Sequence, residues 1–422
     1  MTLELGTVPR RTFLATMAGA AGAAALSVVD GCSSGDPARP RAVPTTAASK
    51  IAPSAVPVDR RRLVVVELSG GNDGLSTLVP YSNGRYHDLR PSLALDGGDI
   101  VGIDDDWGVN RLLAPLMPYN LALLDGVGAS APSLSHFDML ARWWAGTPDR
   151  PARPGSPSGF LGRLCDRLGD ESSLTGASLG LLASPAMRSK RSTTVGVSGP
   201  EVIGATGAGA DQLAALKATL SSFAEQASPL GERANATAAM LRLDDELRSL
   251  PPASADAISA EDDTFAARMR FAGRLLRSDL GVRVIHVAVD AAIFDTHADH
   301  RELHQRSLGS VARGIELLLA DLAAAGMSDE VLVATTSEFG RRVEEHGGGL
   351  DHGVASCALL FGPVAEGIHG DHPPLTDLDV DGNLRTTVSF DRYLATLAAW
   401  FDVDPGSVLD HAPSTVPGIV AT

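Results

Sequence analysis

Short apolar runs bounded by glycine, aspartate or serine recur along the chain at 63–68, 121–127, 282–289, 331–336 and 357–361. Most are valine-rich, and their nearly continuous apolar character predicts strands buried on both faces. Helical patterns separate them. That alternation predicts an α/β fold with a mostly parallel central sheet and helices on both faces. Ligands of such sheets collect at the carboxyl ends of the strands, so the residues that follow each run are the candidates for chemistry. The stretch from about 185 to 280 has a different pattern. Residues 192–210 are small and glycine-rich and predict loop, whereas 211–227, 232–250 and 260–278 carry helical spacing with charged faces. Pro251-Pro252 separates the last two. This stretch is expected to be a loop and helical insertion over or beside the sheet.

The N-terminus has the layout of an export signal. Pro9-Arg10-Arg11-Thr12-Phe13-Leu14 precedes an uncharged, Ala/Gly-rich apolar segment over 15–29, a positive head followed by a short hydrophobic region. The segment is too short and too weakly apolar to span a bilayer, which takes about 20 apolar residues. The arginine pair before Phe-Leu predicts a twin-arginine signal peptide over 1–31, and hence export. Val29-Asp30-Gly31-Cys32 resembles a lipoprotein cleavage box. It predicts that any membrane attachment is through a lipid on Cys32, with secretion after ordinary cleavage as the alternative. Residues 32–59, rich in Pro, Ala, Ser and Thr, predict a disordered tether, and 60–422 the folded domain.

Composition narrows the function classes. At 44% hydrophobic residues the chain can bury a large core. The formal net charge is −16, to which the leader adds nothing, since Arg10 and Arg11 are offset by Glu4 and Asp30. This balance excludes a nucleic-acid partner, which requires a basic surface. It also requires a local cation, metal or arginine, wherever an anionic substrate binds. Besides Cys32 only Cys165 and Cys357 occur, too few for a disulfide framework, and both are expected in the core.

The candidate chemistry follows the strands. After the first run, Ser69-Gly70-Gly71-Asn72-Asp73-Gly74 presents Asp73 on a glycine turn, as a ligand or as the cap of a short helix. After the second, Ser135 stands at a helix start with Asp138 three residues on. That is the spacing of a capping box, and equally that of a serine nucleophile among free backbone N–H groups. After the third come Asp295 and His297. A helix capped by Thr296 would place His297, His300 and His304 on one solvated face. After the fourth come Glu338 and Arg341, then a glycine-rich loop and Asp351-His352-Gly353. Eight of the eleven histidines fall between His286 and His372, far more than chance placement, and this favours a site there. Carboxylates together with imidazoles suit Zn²⁺ or Mn²⁺, and carboxylates alone suit Ca²⁺ or Mg²⁺.

The ordered series GGNDG (70–74), SHFD (135–138), DTH (295–297), SEFGR (337–341) and DHG (351–353), behind the paired-arginine leader, resembles the bacterial family of domain of unknown function 1501. That family is similar in turn to the alkaline phosphatase and sulfatase superfamily. The resemblance implies an alkaline-phosphatase-like fold and a metal-dependent hydrolase of phosphate or sulfate esters. By position it implies Ser135 as nucleophile, Arg341 as an anion clamp, and Asp73, Asp295, His297, Glu338 and His352 as metal ligands. The chain departs from the superfamily in the spacing of Asp295 and His297, and in having Glu338-Phe339 where an Asp-His pair would stand. One metal, or none, is therefore expected rather than two. The substrate would be a small-molecule or glycan ester. The alternative is a non-catalytic cell-envelope binding protein on a degenerate form of the fold.

Overall fold

The computed structural model describes residues 54–149, 158–169, 174–180, 183–197, 209–224, 264–290 and 293–421, with scattered positions between 226 and 245. The signal peptide over 1–31, Cys32, the tether up to residue 53 and most of the expected helix over 232–250 lie outside the described residues.

The first strand, β1 (Arg62–Glu67), leads through a glycine turn to β2 (Leu78–Val79) and the short helix α1 (Gly84–Leu89). Strands β3 (Ile100–Gly102) and β4 (Gly108–Asn110) complete a small antiparallel sheet in the order β2-β4-β3. Strand β5 (Leu121–Gly128) precedes helices α2 (His136–Ala145) and α3 (Phe160–Leu168). Then come β6 (Leu174–Leu179), β7 (Thr193–Val197), and the helices α4 (Ala210–Ala224) and α5 (Thr264–Leu276). Strand β8 (Val284–Ala288) is followed by the 25-residue α6 (His300–Ala324), β9 (Val331–Thr336) and β10 (Ser356–Phe361). Two short strands, β11 (Gly367–His369) and β12 (Val388–Ser389), and helix α7 (Phe390–Ala399) complete the chain. Among the described residues no helix is long and apolar enough to cross a membrane.

The main sheet has the order β11-β5-β10-β9-β1-β8-β6-β7, with β12 also on β5. Its core strands are buried on both faces because side chains alternate. Val64 and Val66 of β1 join Ile285, Val287, Val331 and Val333 in one apolar layer, covered by α5 and α6. Leu63 and Val65 join Val284, Leu332 and Ala334 in the other, covered by α2, α3 and α7. The expected mostly parallel α/β sheet is thus the observed one, with helices on both faces.

Three features differ from the sequence reading. Strand β10, expected to be parallel, runs antiparallel to both β5 and β9. A parallel β10 would leave the residues just before it at the amino edge of the sheet. The reversed strand puts Asp351 and His352 at the carboxyl edge instead. Second, β6 and β7 appear where small residues offered little apolar signal, β7 within the segment read as loop. Small size is what this edge requires, since a Cβ on Gly176 would lie 2.4 Å from Met187 Cε and 2.8 Å from Cys165 Sγ. Third, within the stretch expected to be an insertion, β7 and α5 belong to the main sheet and its core. Cys165 and Cys357 are buried as expected, and burial pushes both thiols up.

A third apolar cluster unites α1 with the small sheet, and beneath it lies a buried ion pair. Arg90 donates to both carboxylate oxygens of Asp73, at 2.6 and 3.0 Å, and His300 Nε2 donates to the same group at 3.1 Å. Burial would raise the Asp73 pKa, but Arg90 and His300 together hold it well below the usual carboxylate range. A depressed folded-state pKa stabilises the fold above the unfolded value of about 3.9, and that contribution is lost as pH falls toward the depressed value. Asp73→Asn should destabilise the protein by about 3–5 kcal/mol at neutral pH, by leaving a buried guanidinium uncompensated. Urea titrations at pH 7 and pH 3 measure this. Equal stability of wild type and variant at pH 7 would refute it.

Candidate functional site

At the carboxyl edge of the main sheet three imidazoles converge on one carboxylate. Asp295 Oδ1 lies 3.1 Å from His297 Nε2, 3.2 Å from His352 Nε2 and 3.4 Å from His136 Nε2. The ring nitrogens also face one another. His352 Nε2 is 3.1 Å from that of His136 and 3.0 Å from that of His297. His136, Asp295 and His352 are half-buried and His297 is exposed.

The opposite nitrogen of each ring is held by an acceptor. His136 Nδ1 lies 2.7 Å from Glu338 Oε1, His297 Nδ1 3.1 Å from Asp351 Oδ1, and His352 Nδ1 2.7 Å from the Leu134 carbonyl. A carbonyl or an ionised carboxylate can only accept, so each Nδ1 carries a proton, and Nε2 of each ring is the nitrogen turned inward. With the rings neutral, three lone pairs and a carboxylate oxygen face one another, and positive charge, of a metal ion or of protons, offsets their repulsion. Ligands at about 2.0–2.1 Å from a metal ion are about 3.3–3.4 Å apart in a tetrahedral shell and about 2.9 Å apart in an octahedral one. Asp295 Oδ1 and the His136 and His352 Nε2 atoms lie 3.1–3.4 Å from one another, within that interval, so these three fit a divalent ion, and His297 Nε2 stands beside Asp295 and His352. Protons serve the same end: burial alone would lower the His136 pKa, but its bonds to Asp295 and Glu338 push it up to about 9. Burial would raise that of Asp295, but His136, His352 and Arg341 hold it far below the carboxylate range.

Several elements build this geometry. Asp295 is fixed by the buried Arg341, whose Nη2 donates to its Oδ1 at 2.8 Å and to the Phe294 carbonyl at 2.9 Å. The same guanidinium donates to the carbonyls of Gly70, Gly71 and Leu350. His136 opens α2, which two indoles pin in place: Trp143 Nε1 donates to the Glu338 carbonyl and Trp144 Nε1 to Glu67 Oε2. Glu338 Oε1 accepts from His136 and from the Gly70 N–H, while Oε2 is buried without a hydrogen-bond partner. The Phe339 ring lies 4.7 Å from the rings of both His136 and His352 and gives the site an apolar floor.

Of the residues selected from sequence, the structure brings together Asp295, His297 and His352. Glu338 joins them through His136, so it orients an imidazole where direct ligation was expected. Asp73 makes none of these contacts, since Arg90 and His300 engage both of its oxygens. Arg341 does not fit the expected anion clamp, because its three nitrogens are committed to four carbonyls and Asp295. Ser135 sits at the start of α2 as expected, but it makes no side-chain capping bond, and Asp138 pairs instead with Arg142 at 2.6 Å. Helix α6 is not capped by Thr296; it starts after Asp299, which has a left-handed φ of 48°. His300 and His304 are buried rather than solvated, bonded to Asp73 and Asn72. The residue that sequence reasoning missed is His136. It lay inside the SHFD motif, but it stands outside the histidine-rich segment and has no histidine at ligand spacing.

Residues 125–409 match the family described as "Protein of unknown function (DUF1501)". The chain belongs to this family. The match covers every residue of the imidazole–carboxylate cluster and leaves Asp73 outside. No curated protein matches this DUF1501 chain in sequence. Among solved structures it is similar to the alkaline phosphatase of the Antarctic bacterium TAB5, at 11% identity and a TM-score of 0.35, over 75% of this chain and 94% of that one. It is also similar to a Vibrio parahaemolyticus protein of the alkaline phosphatase superfamily, at 9% identity and 0.35, over 89% and 75%. A third is Ps i-CgsB in complex with a neocarrahexaose, at 12% and 0.37, over 84% and 75%. Likenesses this distant leave the chemistry to the residues themselves.

The cluster depends on close approach of the β1 turn to Asp295. Gly70 has φ +115°, and a Cβ there would lie 2.5 Å from the Asp295 backbone nitrogen. Gly70→Ala combines a strained φ with overlap against backbone and should cost more than about 2 kcal/mol. It should also disperse the shared environment of His136, His297 and His352 in histidine-selective NMR spectra. An unshifted melting temperature with unchanged histidine resonances would refute this.

Proposed function

We propose that the protein is an exported, metal-dependent hydrolase of phosphate or sulfate esters. The observation that carries this reading is the convergence of the Nε2 atoms of His136, His297 and His352 on one oxygen of the Asp295 carboxylate. The metal would be held by His136, Asp295, His297 and His352. A nitrogen-rich set of this kind suits Zn²⁺ or Mn²⁺ better than Ca²⁺ or Mg²⁺. When bound, the ion supplies positive charge that lowers the pKa of a nearby hydroxyl or water and offsets charge on the transferred group.

The chain's own residues supply the rest. Ser135 directly precedes His136, is exposed, and does not spend its hydroxyl on a helix cap. Its Oγ would form the new bond to phosphorus or sulfur as the bond to the departing alcohol breaks, the serine proton ending on that alcohol, and a water would then cleave the serine ester, returning a proton to Oγ and releasing the anion. The uncapped N–H groups opening α2 receive the anionic oxygens, a role that suits a helix N-terminus. Arg341 keeps Asp295 ionised and oriented. Glu338 and Asp351 orient His136 and His297, as acceptors on the outer nitrogen of a ligating imidazole commonly do.

Dialysis against a chelator should lower the melting temperature, because an ion that binds only the native state stabilises it by mass action. Zn²⁺ or Mn²⁺ should restore it. His352→Ala should abolish both the bound metal and this response. Ser135→Ala should keep the metal and lose all hydrolysis of aryl phosphate or sulfate esters. A protein that binds no divalent ion and cleaves no ester with any ion added would sink the hydrolase and leave an envelope binding protein. A metal-loaded protein whose ester cleavage survives Ser135→Ala would remove only the serine from the mechanism.

Export through the twin-arginine route is part of the same reading, supported by Arg10-Arg11 ahead of a weakly apolar segment. Replacing both with lysine should leave the protein in the cytoplasm of its host, as fractionation and immunoblotting would show. Undiminished export of that variant would remove the twin-arginine assignment. Cys32→Ala should release an otherwise membrane-bound protein, and a wild type that is fully soluble after lysis would remove the lipid.

A further inference from the structure

The four residues of the cluster are not held alike. The side chains of His136, His352 and Asp295 are 22%, 20% and 29% exposed, and that of His297 is 47% exposed. The first three are each fastened to a rigid or buried group. Arg341, whose side chain is fully buried, holds Asp295. Glu338, equally buried, holds His136, and the Leu134 carbonyl holds His352. The rings of His136 and His352 also pack on Phe339. His297 has neither kind of support. Its Nδ1 faces Asp351, which is 55% exposed, and a contact this open to water restrains a side chain weakly. Among the described residues its ring packs on no aromatic side chain except His352. Its backbone, in contrast, is fixed, since a Cβ on Gly349 would lie 1.8 Å from the His297 carbonyl oxygen. Movement at this position is therefore a turn of the side chain about a stationary backbone, which exposed residues make readily.

We propose that His297 is an exchangeable ligand: it completes the shell of the ion in the resting site and yields its place to an anionic oxygen of the substrate, while His136, Asp295 and His352 keep the ion. This rests on the hydrolase reading and specifies where in that site the anion enters. Four protein donors make the closed shell of a structural ion, whereas an ion that acts on a substrate has three protein ligands and an open position. One donor must therefore yield, and only His297 can do so without stranding a buried or built-in partner. Withdrawal of Asp295 would leave the buried Arg341 without its only carboxylate. Withdrawal of His136 would cost Glu338 its imidazole, when the other oxygen of that carboxylate is already buried without a partner. Withdrawal of His352 would unpair the Leu134 carbonyl. His297 parts only from Asp351, which is open to water, and its Nε2 leaves Asp295 and His352, which lie 3.1 and 3.0 Å away and continue to face His136.

The test uses the full chain with Zn²⁺ as the ion and inorganic phosphate as the anion. In competition against a chelating dye, His297→Ala should bind Zn²⁺ within about tenfold of wild type, and His352→Ala should lose about a hundredfold or more. In histidine-selective NMR spectra of the Zn²⁺-loaded wild type, phosphate should return the His297 signals to their metal-free positions and leave those of His136 and His352 at their metal-bound ones. Phosphate should bind Zn²⁺-loaded His297→Ala about tenfold or more tighter than loaded wild type, because the variant has no side chain to displace before the anion enters. A ligand needed throughout, or a residue needed only for the fold, would give the opposite sign. Three results each overturn the exchange and leave the hydrolase reading standing: a loss of Zn²⁺ from His297→Ala as large as from His352→Ala, a phosphate affinity unchanged or weakened by His297→Ala, or His297 signals that phosphate does not move. A protein that binds no divalent ion overturns the hydrolase reading, and the exchange with it.

Discussion

The site depends on one buried guanidinium. Arg341 has almost no contact with solvent, and its charge is balanced by Asp295 alone, while its remaining donors draw in the carbonyls of Gly70, Gly71, Phe294 and Leu350. Those carbonyls belong to three separate loops, which follow β1, follow β8 and precede β10. A buried charge is tolerated only when its donors are satisfied. These loops therefore cannot move apart independently, and Asp295 is held with one oxygen turned to the imidazoles. This rigidity makes the four-residue cluster a defined geometry rather than an average over mobile loops.

A second polar network lies beside the first and shares its loops. Arg90 and His300 both bind Asp73, Asn72 binds His304, and Thr296 Oγ1 lies 2.6 Å from His300 Nδ1. Burial, and the His300 ring beside it, push His304 down to about 3, so it serves as a neutral donor. Carboxylates at this sheet edge thus have two uses. The carboxylate of Asp73 is spent on a fixed internal cation, and that of Asp295 is left partly open, with imidazoles arranged around it. The open set has the features of a ligand shell, and the closed set those of a fastening between α1, the β1 turn and α6.

Ring orientation at the open set is controlled from outside it. Glu338, Asp351 and the Leu134 carbonyl each occupy the outer nitrogen of one histidine and thereby decide which nitrogen faces inward.

The sheet was legible in the sequence because continuous apolar runs have few other places to go, and loops at the carboxyl ends of such strands collect chemistry whatever the family. Asp295, His297 and His352 could be selected that way. The small-residue strands β6 and β7 could not, because glycine, serine and threonine interrupt their apolar signal, although Leu174, Leu179, Val195 and Val197 join the core and Gly176 packs against Met187 and Cys165. The reversal of β10 was equally hidden, since strand direction is set by pairing and not by composition. The division of labour among the polar residues was decided by tertiary structure alone. Asp73 and Asp295 look alike as acids on glycine- and threonine-flanked turns, and only the approach of Arg90 to one and of Arg341 with three imidazoles to the other separates them. His136 shows the same limit: a lone histidine at a helix start carries no periodic signal, and it becomes a site residue because Glu338, more than two hundred positions away, turns its other nitrogen inward.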